Sequence, residues 1–208
     1  MYKETPLKIK KQIKSGIAIL VDGGLVAFPT DTVYGLGACF DNLAAVERIY
    51  RVKQRPYNMG LPLLVTDESQ ISEVVEYIPH NARLLIQKFM PGGLTLVMPR
   101  AKSVPDIVTG GGETVAVRIP AHPAPIALIK GAGKPIIGTS ANVSGKPSAW
   151  TADEVRLQFG DELDLIIDGG KCEGGRESTR VEVTGDVPRL LREGAISRAE
   201  IERVCQII

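Results

Sequence analysis

LVAFPTDTVYGLG, Leu25 to Gly37, is a four-residue apolar run that breaks at Pro29 into short hydroxyl and carboxylate side chains and ends in two spaced glycines. The run Leu25 to Phe28 reads as a short buried strand. Pro29 sets the exit from it, and Thr30, Asp31 and Thr32 place small donors and acceptors on a turn. Gly35 and Gly37 let backbone approach closely around Tyr34 and Leu36, whose side chains can line a small site. Such a strand carries a polar segment from the core directly to its rim. Taken alone, the turn suits loop architecture and ligand binding equally, and Asp31 reads either as a cap or as a site residue.

The same alternation of apolar run and polar, glycine-bearing turn recurs on both sides. Upstream, Ile9, Ile13, Ile17, Leu20 and Val21 fall at helical spacing with Lys10 and Lys14 outside. Gly16 weakens that helix and Gly23-Gly24 stops it. Downstream, Asp41 or Asn42 can cap a helix with Leu43, Val46, Ile49 and Tyr50 on one side. A strand is expected over Leu61 to Val65, then helical material to Met90 with Pro79 starting its second half. GGLTLVMP, GETVAVRIP and GKPIIGTS each join turn glycines to a short apolar run. A helix from about Thr151, carrying Ala152, Val155, Leu157 and Phe159, leads to a strand over Leu163 to Asp168, then TRVEV and PRLLR. The tail opens with Ser197 and Glu200 at capping-box spacing. This order favours an α/β or mixed-sheet fold over a helical bundle, and a single domain spanning 1–208.

A chain of 208 residues with 44% hydrophobic and 24% charged residues can bury a sizeable core and falls outside the disordered class. Its formal net charge of +1 gives no broad attraction for nucleic acid, so any affinity for phosphate must be local. No apolar run approaches the roughly 20 residues that span a bilayer. The start, MYKETPLKIKKQIKSG, lacks an export signal, and a cytoplasmic protein is expected. Cys39, Cys172 and Cys205 are odd in number and far apart, which argues for reduced thiols rather than a disulfide or metal scaffold. His80 and His122 are too few for a histidine metal cluster, and His80 reads as a surface or capping residue at a helix start. No metal ligand is assigned.

No GxxxxGK[ST] loop and no GxGxxG follows a strand, which excludes the common nucleotide-binding signatures. TGGGE at Thr109 to Glu113 reads as a turn. In VKQRPYNMG, Lys53 and Arg55 stand two apart just before Pro56, where they either flank a loop-bound anion or form a solvated helix end. Arg118 in VRIP either projects from a strand into a cleft or lies exposed. IIGTSANVSGK supplies Thr139, Ser140, Asn142 and Ser144 after another apolar run, and GGKCEGGREST repeats the theme before Ser178 and Thr179. Polar loops at the ends of several apolar strands are how an open α/β sheet builds a crevice site. No Ser/His/Asp triad is visible, whereas cations able to stabilise a phosphoryl group are well supplied.

In order along the chain, PTDTVYGLG, KQRP, AVRIP, GTSANVSG and ESTRVEV followed by LLREGAI resemble the YrdC-like threonylcarbamoyl-adenylate synthase family. The likeness runs from the first helix to about Ile196. It implies a twisted open mixed parallel/antiparallel sheet flanked by helices, of the YrdC/RibB-like kind, around a large cleft. It further implies that L-threonine, bicarbonate and ATP, with Mg2+, form L-threonylcarbamoyl-AMP and pyrophosphate. A separate tRNA-modifying transferase system then uses the product for N6-threonylcarbamoyladenosine. The resemblance puts Thr30, Thr32 and Tyr34 around the threonine and carbamoyl end. It matches Lys53 and Arg55 to a catalytic cationic pair meeting carboxyl and phosphate groups, and Arg118 to an arginine orienting threonine. Ser140, Asn142, Ser178 and Arg192 correspond to nucleotide and phosphate contacts.

Four positions depart from the family pattern: Gly60 and Gly93 stand where proline is usual, Arg180 interrupts an STVV-like run, and Glu182 replaces a common aspartate. Longer relatives append a second domain, and this chain, ending at Ile208, resembles the short form. Two other readings compete. One is a noncatalytic module for double-stranded RNA, using Lys8, Lys10, Lys11 and Lys14, although the same spacing describes a solvated helix face. The other is ATP-dependent carbamoylation of another small amine.

Overall fold

The computed structural model describes residues 7–208. Met1 to Pro6, the head of the segment read for an export signal, lie outside the described residues. Helix α1 (Leu7–Val21) buries Ile13, Gly16 and Leu20 and exposes Lys8, Lys10, Lys11 and Lys14. Gly16 is a packing position rather than only a weak point. A Cβ there would stand 3.1 Å from Leu128 Cδ2 and 3.3 Å from Ile167 Cδ1, and the bare backbone lets α1 seat on α6 (Pro123–Ala132). From sequence no helix is expected over α6, because two prolines and Gly131 punctuate it. Both prolines fall in the first turn, where a missing N–H removes no helical bond, and His122 Nδ1 accepts from Ala124 N at 3.1 Å.

Strand β1 (Val26–Phe28) pairs antiparallel with β2 (Gly35–Gly37), which pairs antiparallel with β7 (Thr139–Ser140). On its other edge β1 pairs parallel with β8 (Leu165–Ile166). A second ladder runs in the order β10 (Arg189–Arg192), β9 (Thr179–Glu182), β4 (Leu94–Pro99), β5 (Thr114–Arg118), β3 (Leu63–Leu64), β6 (Ile136–Ile137). Two of its pairings, β3 with β5 and β4 with β9, are parallel and the rest antiparallel. An antiparallel bridge between Cys39 and Ile136, with Ile137 N donating to Ala38 O at 2.8 Å, joins the two ladders. The mixed α/β architecture is therefore the expected one, drawn as two linked ladders.

Both faces are covered, and the strand periodicity shows it. Val26, Phe28, Leu64 and Ile136 join a cluster with α1 and α6. Their alternates Leu25, Ala27, Leu63, Val65 and Ile137 join a larger cluster with α2 (Leu43–Lys53), α3 (Glu68–Val74), α4 (His80–Phe89) and α7 (Ala152–Phe159). Asn42, Asp67 and Thr151 cap α2, α3 and α7 with side-chain acceptors, and Ser197 with Glu200 forms the full capping box of α8 (Arg198–Glu202).

Three residues expected on buried helix faces are exposed. Val21 and Leu157 lie one and two positions from the inward-facing Leu20 and Val155, off the packed stripe; Leu43 opens α2 above a surface depression that Val21 also lines. The stretch GKPIIGTS, read as turn glycines joined to a short apolar run, forms two strands, β6 and β7, on either side of Gly138. Among the described residues no helix is long and apolar enough to cross a membrane.

Candidate active site

The strand β1 delivers Pro29 to Thr32 to the edge of a cavity, and the turn there is held by its own hydroxyls. Thr30 Oγ1 donates to Val33 O at 2.6 Å and accepts from Thr32 N at 3.0 Å. Each hydroxyl has one proton, so in the 3.0 Å contact between the two hydroxyls Thr32 donates to Thr30. Arg118, at the end of β5, closes the chain by donating Nη1 to Thr32 Oγ1 at 2.8 Å. Its Nη2 donates to Asp31 Oδ1 at 2.8 Å and its Nε to Gly92 O at 2.9 Å. Asp31 Oδ1 also accepts from Ala121 N at 3.0 Å. Asp31 therefore acts inside the protein, compensating a guanidinium that burial pushes down from its ordinary value.

Tyr34 lies along the same wall. Its phenol donates to Gly170 O at 2.8 Å and accepts from Gly169 N at 3.3 Å, and burial pushes it up to about 12. The loop it holds passes over the turn at Gly174, where a Cβ would stand 2.3 Å from Asp31 O. That separation admits no side chain.

Two expected site residues stand apart from the cavity lining. Lys53, the last residue of α2, is 1% exposed, and its Nζ donates to Ser140 O at 2.5 Å and Asn142 O at 2.7 Å. It grips the backbone of the 139–144 loop from beneath, while Ser144 N donates to Lys53 O at 2.8 Å. Burial, with the charge of Arg55 added, pushes the Lys53 ammonium down to about 7. Asn142 turns its amide inward, Nδ2 donating to Val143 O and Lys146 O at 3.0 and 2.7 Å. The adjacent cations separate because Gln54 caps α2 in the left-handed region, φ 49°, and redirects the chain. Arg55 then faces the cavity, with Nε on Met59 O and Nη2 on Gly60 O, both at 2.9 Å.

Thr30, Thr32, Tyr34, Arg55, Arg118, Ser140, Ser178 and Arg192 line one cavity, as does Thr139. Ser178 Oγ meets Thr95 Oγ1 at 2.8 Å; Arg192 pairs with Glu177 and donates Nη2 to Ser178 O at 2.8 Å. Thr95, Glu177 and Arg180, which were not assigned to the site from sequence, also line it. For Arg180 a signal was present: it stands two residues from Ser178 at the start of a strand, hence on the same face. Four arginines face this space with Glu177 as the acidic lining residue, so the cavity is built to receive anions.

The family model described as "Telomere recombination", that of Sua5, YciO and YrdC, matches residues 18–194. A threonylcarbamoyl-AMP synthase of Pyrococcus abyssi is 43% identical over 193 residues, which cover 93% of this chain and 57% of that protein. One of Bacillus subtilis is 43% identical over 194 residues, covering 93% and 56% respectively. The crystal structure of P. abyssi Sua5 complexed with L-threonine matches with a TM-score of 0.91 at 42% identity, covering 94% of this chain and 58% of that one. The chain thus spans a little over half the length of these relatives.

Proposed function

The chain belongs to the Sua5–YciO–YrdC family, and on that premise we propose that it is an L-threonylcarbamoyl-adenylate synthase, joining L-threonine, bicarbonate and ATP into L-threonylcarbamoyl-AMP and pyrophosphate. The observation that carries this reading is the arginine-lined cavity, with the hydroxyl turn of Thr30 and Thr32 at one end and Ser178 and Arg192 at the other. Substrates bearing one carboxylate and a triphosphate match its charge.

In the proposed reaction the threonine amine bonds to the carbon of bicarbonate-derived carbon dioxide, giving a carbamate. A carbamate oxygen then attacks the α-phosphorus of ATP, the bond to the bridging oxygen breaks, and pyrophosphate leaves with that electron pair. Arg118, held at three points, orients the threonine carboxylate beside Thr30, Thr32 and Tyr34. Arg55 and Arg192 contact phosphate oxygens and stabilise the charge that builds on the leaving group, with Ser140 and Ser178 adding hydrogen bonds. Lys53 and Asn142 act through the 139–144 loop they hold, fixing Ser140 against the nucleotide. Water exclusion protects the labile carbamate.

The residues present do not build a metal centre: among the described residues, no group of three or more His, Cys, Asp or Glu side chains could hold an ion. Mg2+ would accompany the triphosphate, whose own oxygens supply most of the ligands such an ion takes, and the arginines add positive charge from the protein's side. The product passes to a tRNA-modifying transferase system in the cytoplasm. The test is amino-acid dependence: purified protein with ATP and bicarbonate releases pyrophosphate on addition of L-threonine and not of L-valine, which lacks the hydroxyl. Equal release with both amino acids would point to carbamoylation of another amine.

A further inference from the structure

Arg180 is the one cavity arginine for which no hydrogen bond or ion pair is found among the described residues, whereas Arg55, Arg118 and Arg192 all have partners. Its Nε is buried without any hydrogen-bond acceptor. Thr179 and Val181 point into the core on either side of it, so the strand alternation turns Arg180 to the cavity with Ser178. The sheet register sets it in a row: Thr95 of β4 lies beside it on one edge and Arg192 of β10 on the other. All three line the cavity. Two arginines side by side across a strand pair repel, and Glu177 compensates only Arg192. The acid on this strand, Glu182, is engaged by Arg189 Nη2 at 2.6 Å. Burial pushes Arg180 down from its ordinary value, and the charge of Arg55 adds to that push.

A half-buried guanidinium whose Nε has no acceptor and whose charge has no acid beside it lowers stability unless something outside the chain pairs with it. We propose that Arg180, together with Arg55, forms a pyrophosphate-binding subsite in the cavity wall, a contact that takes the two terminal phosphates of the nucleotide. This rests on the synthase reading above, to which it adds a phosphate-contacting residue. Arg180 exchanges its lost hydration for charge-assisted bonds only when a diphosphate is present.

Isothermal titration of the whole chain with inorganic pyrophosphate, and separately with L-threonine, tests this using Arg180→Val and Arg180→Lys. Valine suits a strand, so the first variant is expected to fold. Loss of one charge-assisted contact should weaken pyrophosphate binding about tenfold or more in Arg180→Val, with partial recovery in Arg180→Lys and L-threonine affinity unchanged. Without ligand, Arg180→Val should melt slightly higher than the parent, because a half-buried uncompensated charge with an unpartnered Nε is gone, and should lose most of the melting shift that pyrophosphate produces. Pyrophosphate binding by Arg180→Val at the parent's affinity overturns the inference. So does a lower melting temperature with joint loss of both ligands, which marks Arg180 as structural. A parent protein that forms no threonylcarbamoyl-AMP yet binds pyrophosphate through Arg180 overturns the synthase reading and upholds the subsite.

Discussion

Lys53 Nζ lies 2.5 Å from the carbonyl oxygen of Ser140, so a cation expected to meet carboxyl and phosphate groups holds the backbone of the loop behind the cavity. A neutral amine keeps two N–H donors, enough for both the Ser140 and Asn142 carbonyls, so the grip survives loss of the proton.

That arrangement has a pH signature. The Lys53 ammonium titrates at about 7 when folded against an ordinary 10.5. Below about 7 both states are charged and the full cost of burying the charge is present. Between the two values the unfolded chain holds the extra proton, so stability rises with pH across that window. The difference between the parent and Lys53→Met in denaturant unfolding, followed from neutral to alkaline pH, should show this rise. A flat difference would mean that Lys53 stays charged throughout.

Asp31 should matter for stability through Arg118. Removing its carboxylate in Asp31→Ala leaves a buried guanidinium facing no acid and is expected to cost about 3 kcal/mol by urea unfolding. Asp31→Asn, which can still accept from Ala121 N, should cost less. Combining Asp31→Ala with Arg118→Met should recover part of the loss, since the stranded charge is removed as well. Additive losses in the double variant would rule out the coupling.

Gly174→Ala tests the crossing of the 169–175 loop over the Thr30–Thr32 turn. The new Cβ would meet Asp31 O at 2.3 Å and Thr32 Cα at 2.8 Å, both backbone-borne and unable to swing aside. A loss of about 1–3 kcal/mol and a raised KM for L-threonine are expected. Gly112→Ala, whose Cβ would come no nearer than 3.4 Å to Thr109 O, serves as the control and should change neither. Normal KM in Gly174→Ala would separate this loop from the threonine end.

The parts of the fold legible in sequence were those written in local chemistry. The strand into PTDT, the start of one helix at Asp41 or Asn42 and of another near Thr151, and the Ser197/Glu200 box all follow from a few adjacent residues. Helix α6 was hidden because its prolines read as breakers until their place in the first turn is known. The direction of Lys53 was illegible for a different reason: the left-handed Gln54 that parts it from Arg55 is neither glycine nor asparagine. Arg180 shows the third limit. Its two-residue spacing from Ser178 is visible in the chain, but its neighbours Thr95 and Arg192 come from strand register set by distant residues.

Isotope transfer decides whether the protein makes the mixed carbamate–adenylate anhydride. Purified protein given ATP, L-threonine and carbon-13 bicarbonate, with Mg2+, is analysed by mass spectrometry for the adenylate product. A synthase yields threonylcarbamoyl-AMP one mass unit heavier than that made from ordinary bicarbonate, appearing in step with pyrophosphate. ATP consumption with AMP or ADP and no labelled adduct would contradict the synthase reading.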